Sequence, residues 1–376
     1  MVKKGGFQMK RISPLILVFI IMSTLFVGCG NNTSNTNAAK NTNIAEEKSS
    51  VKTITDMAGR KMEVPSKITK VYCTGQPGIV MMHNINLDKL AGWCFELRDY
   101  EKKYIDLKYQ SLPVIGAMQG KNGTVSKEQL LSYNPQIILS MGAVSDSTVS
   151  EADKLSKDIG IPVVVVDSSL QNLDKSYEFL GSLLDEEETT NKLSKYCRDT
   201  MEQLKEITSK IPEDKKIRVY YAGGEKGLET APIGNWHAEL LDYAGAKNVV
   251  DFKAGGGRSD VSIEQVLTWN PDLVIEAIYD NHLDGVFNSK EWAGISAVQN
   301  NKVFSAPDEP YNWVDTPPSS NRIIGLKWLV NLLYPEYSKI DMKKEVKEYY
   351  KLFYKADIDD KAAEELLNTK ASLVLK

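Results

Sequence analysis

Two stretches of the chain place apolar and polar residues in the same order, 136 residues apart. VSKEQLLSYNPQIIL (Val125–Leu139) and VSIEQVLTWNPDLVI (Val261–Ile275) agree at seven of fifteen positions, Glu128/Glu264 and both Asn-Pro pairs included. Ser126 and Ser262 are placed to cap helices, and Gln129 and Gln265 three residues on complete a capping-box pattern. Asn-Pro then stops each helix, because a residue before proline avoids the helical region. The apolar runs QIIL and DLVI predict strands buried on both faces, as parallel sheets require.

The flanking pattern recurs too. KVYCTG and IRVYYAGG each predict a first strand, followed by GIVMMHNINLDKLAGW or NWHAELLDYAGAKNVV, a helix that ends before a further strand. Strands alternating with helices imply an α/β fold: two Rossmann-like lobes with parallel sheets and right-handed crossovers. Between the halves, Leu193, Tyr196, Cys197, Met201, Leu204, Ile207 and Ile211 recur at helical spacing and predict one long amphipathic helix. Glu186–Glu188 suit its positive N-terminal end and Pro212 closes it. A single helix joining two lobes is stiff, so lobe motions should be small. After Tyr334, KKEVKEYYKLFYK and DDKAAEELLN predict two more amphipathic helices packed on the second lobe.

The N-terminal stretch reads differently. Lys3, Lys4, Lys10 and Arg11 precede ISPLILVFIIMSTLFVG, an apolar run ending in small residues, the pattern of an export signal. LFVGCG resembles a bacterial lipobox with Cys29 as the acylated residue, although Phe26 departs from the usual aliphatic. The Asn/Thr/Ser-rich segment after it cannot bury enough surface to order, and predicts a tether. The expected organisation is a signal peptide (1–28), acylated Cys29 and tether (29–50), N-terminal lobe (51–185), interlobe helix (186–211) and C-terminal lobe with its extra helices (212–376). A formal net charge of −4, with no basic block after the signal, gives no footprint for nucleic acid. Cys73, Cys94 and Cys197 lack metal-type spacing and suit buried thiols. A Cys73–Cys94 bridge on neighbouring strands remains open.

Enzyme motifs are missing: no GxSxG elbow, no HExxH, no P-loop and no GxGxxG after a strand. AGGGRSD (Ala254–Asp260) is a flexible turn or a ligand-facing loop. His83, His237 and His282 each lie beyond the carboxyl end of a predicted strand, where open α/β sheets bind ligands. Imidazole suits borderline metals, so the three are metal candidates, with ordinary surface histidines as the alternative. Tyr311 and Trp313, in a loop leaving the strand KVFSA, suit a flat or apolar ligand, or else pack beneath the loop. Arg258 and Arg322 could face an anionic ligand.

These residues resemble the extracytoplasmic solute-binding proteins of ABC importers for ferric siderophores, haem and cobalamin, from about Ile54 to Tyr334. The resemblance rests on ITDMAGRKMEVP, with Asp56, Gly59, Arg60 and Pro65, on the paired VSxEQ…NP phrases, and on PPSSNRIIGLKWL. It implies a non-enzymatic receptor without a cofactor of its own, expected to be a monomer, lipid-anchored on the outer face of the cell membrane. It implies ligand contacts from the segments Gln76–Gly78, Ala117–Gln119 and Asn235–His237, from Arg258 and from the Tyr311–Trp313 loop; Gln76, Met118, Trp236, His237, Arg258, His282, Tyr311 and Trp313 are the candidates. Glu128 and Glu264 are expected to dock on a permease dimer served by ATPase subunits. Cobalamin binders carry tryptophan near the positions of Met118 and Arg258, so an anionic iron chelate or haem fits this chain better. The competing expectation is a receptor for a bare metal ion or metal–histidine complex, held by His83, His237 and His282; an exported α/β enzyme is disfavoured.

Overall fold

The computed structural model describes residues 50–118, 123–252, 257–276 and 286–368, which belong to one compact unit. An antiparallel hairpin, β1 (Val51–Thr55) and β2 (Lys61–Pro65), turns on the DMAGR stretch. The buried Asp56 carboxylate accepts from the backbone N–H of Ala58 at 3.0 Å and of Arg60 at 2.9 Å, and from the Arg60 guanidinium at 2.6 Å. It also accepts from Val165 N–H at 3.0 Å, which pins the turn to the first lobe's sheet.

That sheet is parallel, in the order β3-β4-β5. Its elements are β3 (Val71–Cys73), helix α1 (Gln76–Ile85), helix α2 (Lys127–Ser132), β4 (Ile137–Gly142), helix α3 (Asp146–Ile159) and β5 (Val163–Asp167). β4 is buried along nearly its whole length, which is why QIIL shows no alternation. The strand expected near LAGW is reduced to isolated bridges, Val71 to Leu90 and Trp93 to Val114. Helix α4 (Leu173–Leu184) then leads into α5 (Glu187–Thr208), 22 residues and about 33 Å of helix. α5 buries Leu193, Cys197 and Leu204, the stripe expected from the sequence.

The second sheet, also parallel, has the order β9-β8-β6-β7. It is built from β6 (Arg218–Ala222), helix α6 (Glu239–Tyr243), β7 (Lys247–Asn248), helix α7 (Ile263–Trp269), β8 (Leu273–Glu276) and β9 (Val303–Ser305). The two repeated phrases thus serve different sheets: α2 feeds β4 and α7 feeds β8. Ser126 and Ser262 cap them, accepting from the N–H of Gln129 at 3.1 Å and of Gln265 at 3.2 Å. Before each proline, however, Asn134 and Asn270 turn left-handed, at φ 50° and 42°, rather than extended; asparagine tolerates that region where most residues do not.

Helix α8 (Arg322–Leu333) is buried almost throughout. Gly325 lets it do so, since a Cβ there would lie 1.8 Å from the Trp313 carbonyl oxygen. The last elements, α9 (Met342–Tyr349), a π-turn (Tyr350–Tyr354) and α10 (Asp360–Leu367), do more than cover the second lobe. The π-turn reaches the first: Asn84 Nδ2 donates to Phe353 O at 3.3 Å, and the Phe353 ring meets Tyr177 edge-on at 6.1 Å. Cys73, Cys94 and Cys197 are buried free thiols, with Cys94 Sγ donating to Cys73 O at 3.4 Å rather than bridging.

Candidate ligand-binding site

A cleft of about 830 Å³ opens where the carboxyl end of the first sheet faces loops of the second lobe. On the first-lobe side it is lined by Gly75 and Gln76 at the start of α1, by Ser140 and Gly142 of β4, and by Ser145 and Thr148 at the start of α3. Two helix N-termini therefore open on the cleft with their positive ends. From the second lobe come Pro232–His237 and Thr316–Pro318. Phe95 and Ile233, 45% and 53% exposed, stand at its walls. No lysine, arginine, aspartate or glutamate lines it among the described residues.

Trp236 crosses the cleft. Its Cη2 lies 3.7 Å from where a Cβ on Gly142 would stand, so glycine at the end of β4 leaves room for the ring. Its indole Nε1 is buried and has no acceptor among the described residues. Beside it, His237 Nδ1 contacts the carboxylate of Asp315 at 2.7 Å. A carboxylate only accepts, so Nδ1 carries the proton, and Nε2 bonds nothing among the described residues.

Asp315 is fully buried, and its other oxygen accepts from Tyr221 OH at 2.7 Å, with Arg258 Nε at 3.8 Å. Burial by itself pushes this carboxyl up. The hydrogen bond and charge of His237, the Arg258 charge and the Tyr221 hydroxyl outweigh that and hold it below the usual carboxylate range.

The structure sorts the candidates. Gln76, Trp236 and His237 come together in the cleft. Met118 instead lines a smaller cavity of about 290 Å³ beside it, sharing Ser140 with the cleft. Arg258 is engaged by Asp315 and by Glu229 at 4.0 Å, so it stands behind His237 and lines no part of the cleft. Tyr311 and Trp313 are core residues, 1% and 0% exposed, because their loop folds under and packs on α8. His83 is buried as well: its Nε2 donates to Tyr104 O at 3.0 Å, which leaves Nδ1 to accept from Tyr311 OH at 3.2 Å. Burial first, and the nearby Lys355 charge second, lower its pKa to about 3. Of the three candidate metal ligands, His83 therefore has both ring nitrogens engaged and lines no part of the cleft that holds His237, and no group of three His, Cys, Asp or Glu able to hold a metal ion occurs among the described residues. Cys29, Gln119 and His282 lie outside the described residues.

Sequence reasoning missed Phe95, Ser140, Ser145, Thr148 and Asp315. The serines could have been found, since S-D-S-T follows the strand IILSMG after only two residues, a capped helix start at a strand's carboxyl end. Asp315 carried a weaker signal, a lone acid in the apolar run YNWVDTPP.

Glu128 and Glu264 occupy the same position in α2 and α7, and both are exposed. Each carboxyl is held below its usual range by its own backbone N–H and then by the capping serine, Ser126 or Ser262.

A family profile described as periplasmic binding protein matches residues 101–310. The chain belongs to the periplasmic binding protein family. Such proteins are the solute-binding components of ABC importers; they act outside the cytoplasm and bind their solute without converting it. Among the relatives of this periplasmic binding protein is the molybdate-binding protein MolA of Haemophilus influenzae, 25% identical over 331 residues, covering 80% of this chain and 90% of the relative. A vitamin B12-binding protein of Vibrio parahaemolyticus is 27% identical over 233 residues, covering 61% and 77%. A solved structure, an ABC transporter solute binding protein from Sulfurospirillum deleyianum, superposes with a TM-score of 0.77 at 28% identity, covering 84% of this chain and 98% of that one.

Proposed function

We propose that this importer component captures an iron chelate, a ferric siderophore or haem, in the Trp236 cleft. The observation that carries this reading is the His237–Asp315 pair. With Nδ1–H committed to a buried carboxylate, Nε2 is the His237 ring nitrogen left for a ligand of the cleft, the arrangement by which proteins orient a histidine towards a metal. The Trp236 face suits a flat or apolar ligand body, and its orphaned Nε1–H, which costs about 1–3 kcal/mol while unpaired, suits a ligand oxygen. A cleft of about 830 Å³ matches an organic complex better than a bare ion.

Delivery follows from the repeat. Glu128 and Glu264 place one carboxylate on each lobe, a two-point register for a permease dimer that carries matching cations. Cys29, acylated after removal of the signal peptide, tethers the receptor to the outer face of the membrane through the Asn/Thr/Ser-rich segment.

A second reading, a compact oxyanion, is favoured by the two helix N-termini on the cleft and by the likeness to a molybdate-binding protein. The test is a visible spectrum of the protein as purified, followed by calorimetric titration with hemin, a ferric hydroxamate, a ferric catecholate, cyanocobalamin and molybdate. A coloured iron complex, or tight binding of one added afterwards, is the expected result. Binding of molybdate alone overturns it in favour of the oxyanion.

A further inference from the structure

By sequence Arg322 could face an anionic ligand, yet it is 0% exposed. It stands at the first position of α8, the positive end of a helix and the least favourable place on it for a cation. Its surroundings answer that charge. Nη2 meets Glu239 Oε1 at 2.7 Å and Ser168 O at 3.3 Å, Nη1 donates to Trp236 O at 3.0 Å, and Nε to Ser319 O at 3.4 Å. The guanidinium carbon also lies 5.6 Å from the centre of the Trp236 ring. Glu239 Oε1 in turn accepts from Leu170 N–H at 3.1 Å.

The partners fall on both sides of the cleft. Ser168 and Leu170 follow β5 in the first lobe, while Trp236 and Glu239 belong to the second. Other bonds cross here, Ser319 Oγ to Pro77 O at 2.9 Å and Ser320 Oγ to Asn84 Oδ1 at 2.6 Å, but they are neutral and hold α1. Among the described residues, Arg322 alone joins the β5 loop to the residue whose ring forms the cleft wall. Compared with well-packed apolar residues in place of both partners, a buried ion pair of this kind adds little to stability. What it fixes is an arrangement.

We infer that Arg322 is a positioning residue for ligand recognition: it holds Trp236 at a set distance from the first lobe and so fixes the cleft width at Gly142, without touching the ligand. The inference stands whatever the ligand proves to be, because its test uses none. The protein, with its six tryptophans replaced biosynthetically by fluorotryptophan, is followed by fluorine NMR, and the Trp236 line is assigned with Trp236→Phe. Arg322→Met should shift and broaden that line, leave the Trp93 and Trp292 lines in place, and lower the melting temperature, since Glu239 is left without its buried cation. Arg322→Lys keeps the charge but cannot reach both lobes with one ammonium, so it should move the same line. Glu239→Gln should move it in the same direction by less. An unmoved Trp236 line in folded Arg322→Met or Arg322→Lys protein overturns the inference, as does an equal displacement of all six lines. If Arg322→Met does not fold, Arg322→Lys and Glu239→Gln decide by the same criterion.

Discussion

Asp315→Asn changes one buried oxygen for an amide of nearly the same shape, and the consequences can be worked through. The carboxylate accepts from His237 Nδ1 at 2.7 Å and from Tyr221 OH at 2.7 Å, and it faces the Arg258 cation at 3.8 Å. Two hydrogen bonds to a charged group contribute about 1.5–3 kcal/mol each. Asparagine keeps one acceptor, so a net destabilisation of about 2–4 kcal/mol is expected, part of it from leaving Arg258 with Glu229 alone. If the amide oxygen stays on Tyr221, the amide N–H faces His237 Nδ1. The ring must then carry its proton on Nε2, and its lone pair no longer faces the cleft. Loss of such an orienting partner lowers metal-site affinity about 10–100-fold.

Urea unfolding measures the first effect, and titration with the iron chelate that binds wild-type protein measures the second. Acid supplies a further check. The Asp315 carboxyl is held below its ordinary value in the folded protein, so its contribution is present above the unfolded pKa of about 3.9 and fades as pH falls through the lower folded value. The stability difference between wild type and Asp315→Asn should therefore shrink as pH falls below about 4. Equal stabilities near neutral pH, or unchanged affinity, would refute the assigned role. Tighter binding by the variant would point to an oxyanion, which an Nε2–H donor serves better than a lone pair.

Three further predictions test other parts of the structure. His83 has its pKa lowered from 6.5 to about 3 by burial and by Lys355, so its share of stability is intact above about 6.5 and is lost as pH falls from there, by up to about 1.4 kcal/mol per pH unit. His83→Gln should remove that part of the slope in chemical unfolding between pH 6.5 and about 3. Glu128→Arg and Glu264→Arg should leave ligand affinity unchanged and lower uptake in permease-containing vesicles, the double variant most; undiminished uptake would dismiss the docking role. Gly325→Ala drives a Cβ to 1.8 Å from the Trp313 carbonyl and should cost about 3 kcal/mol or more, read from thermal or urea unfolding.

The repeated phrase, the interlobe helix stripe and the apolar runs were legible because each is local. Caps, periodicity and a proline stop act within a few residues, so Ser126, Ser262 and the stripe from Leu193 to Leu204 could be read without knowing what packs on them. The carboxyl ends of predicted strands likewise pointed to His237, while Gln76 and Trp236 came from the family resemblance. Tertiary structure decided everything that depends on which side of a loop faces inward. Tyr311 and Trp313 look like ligand aromatics until Gly325 draws their loop under α8. Arg258 and Arg322 look like free cations until Asp315 and Glu239 meet them from far along the chain. His83 and His237 share a residue type and a place after a strand, yet one is sealed among tyrosines and the other lines the cleft. Sequence spacing fixes which residues a helix or strand presents together, but burial and the partner of each charge are set by chain segments tens to hundreds of residues away.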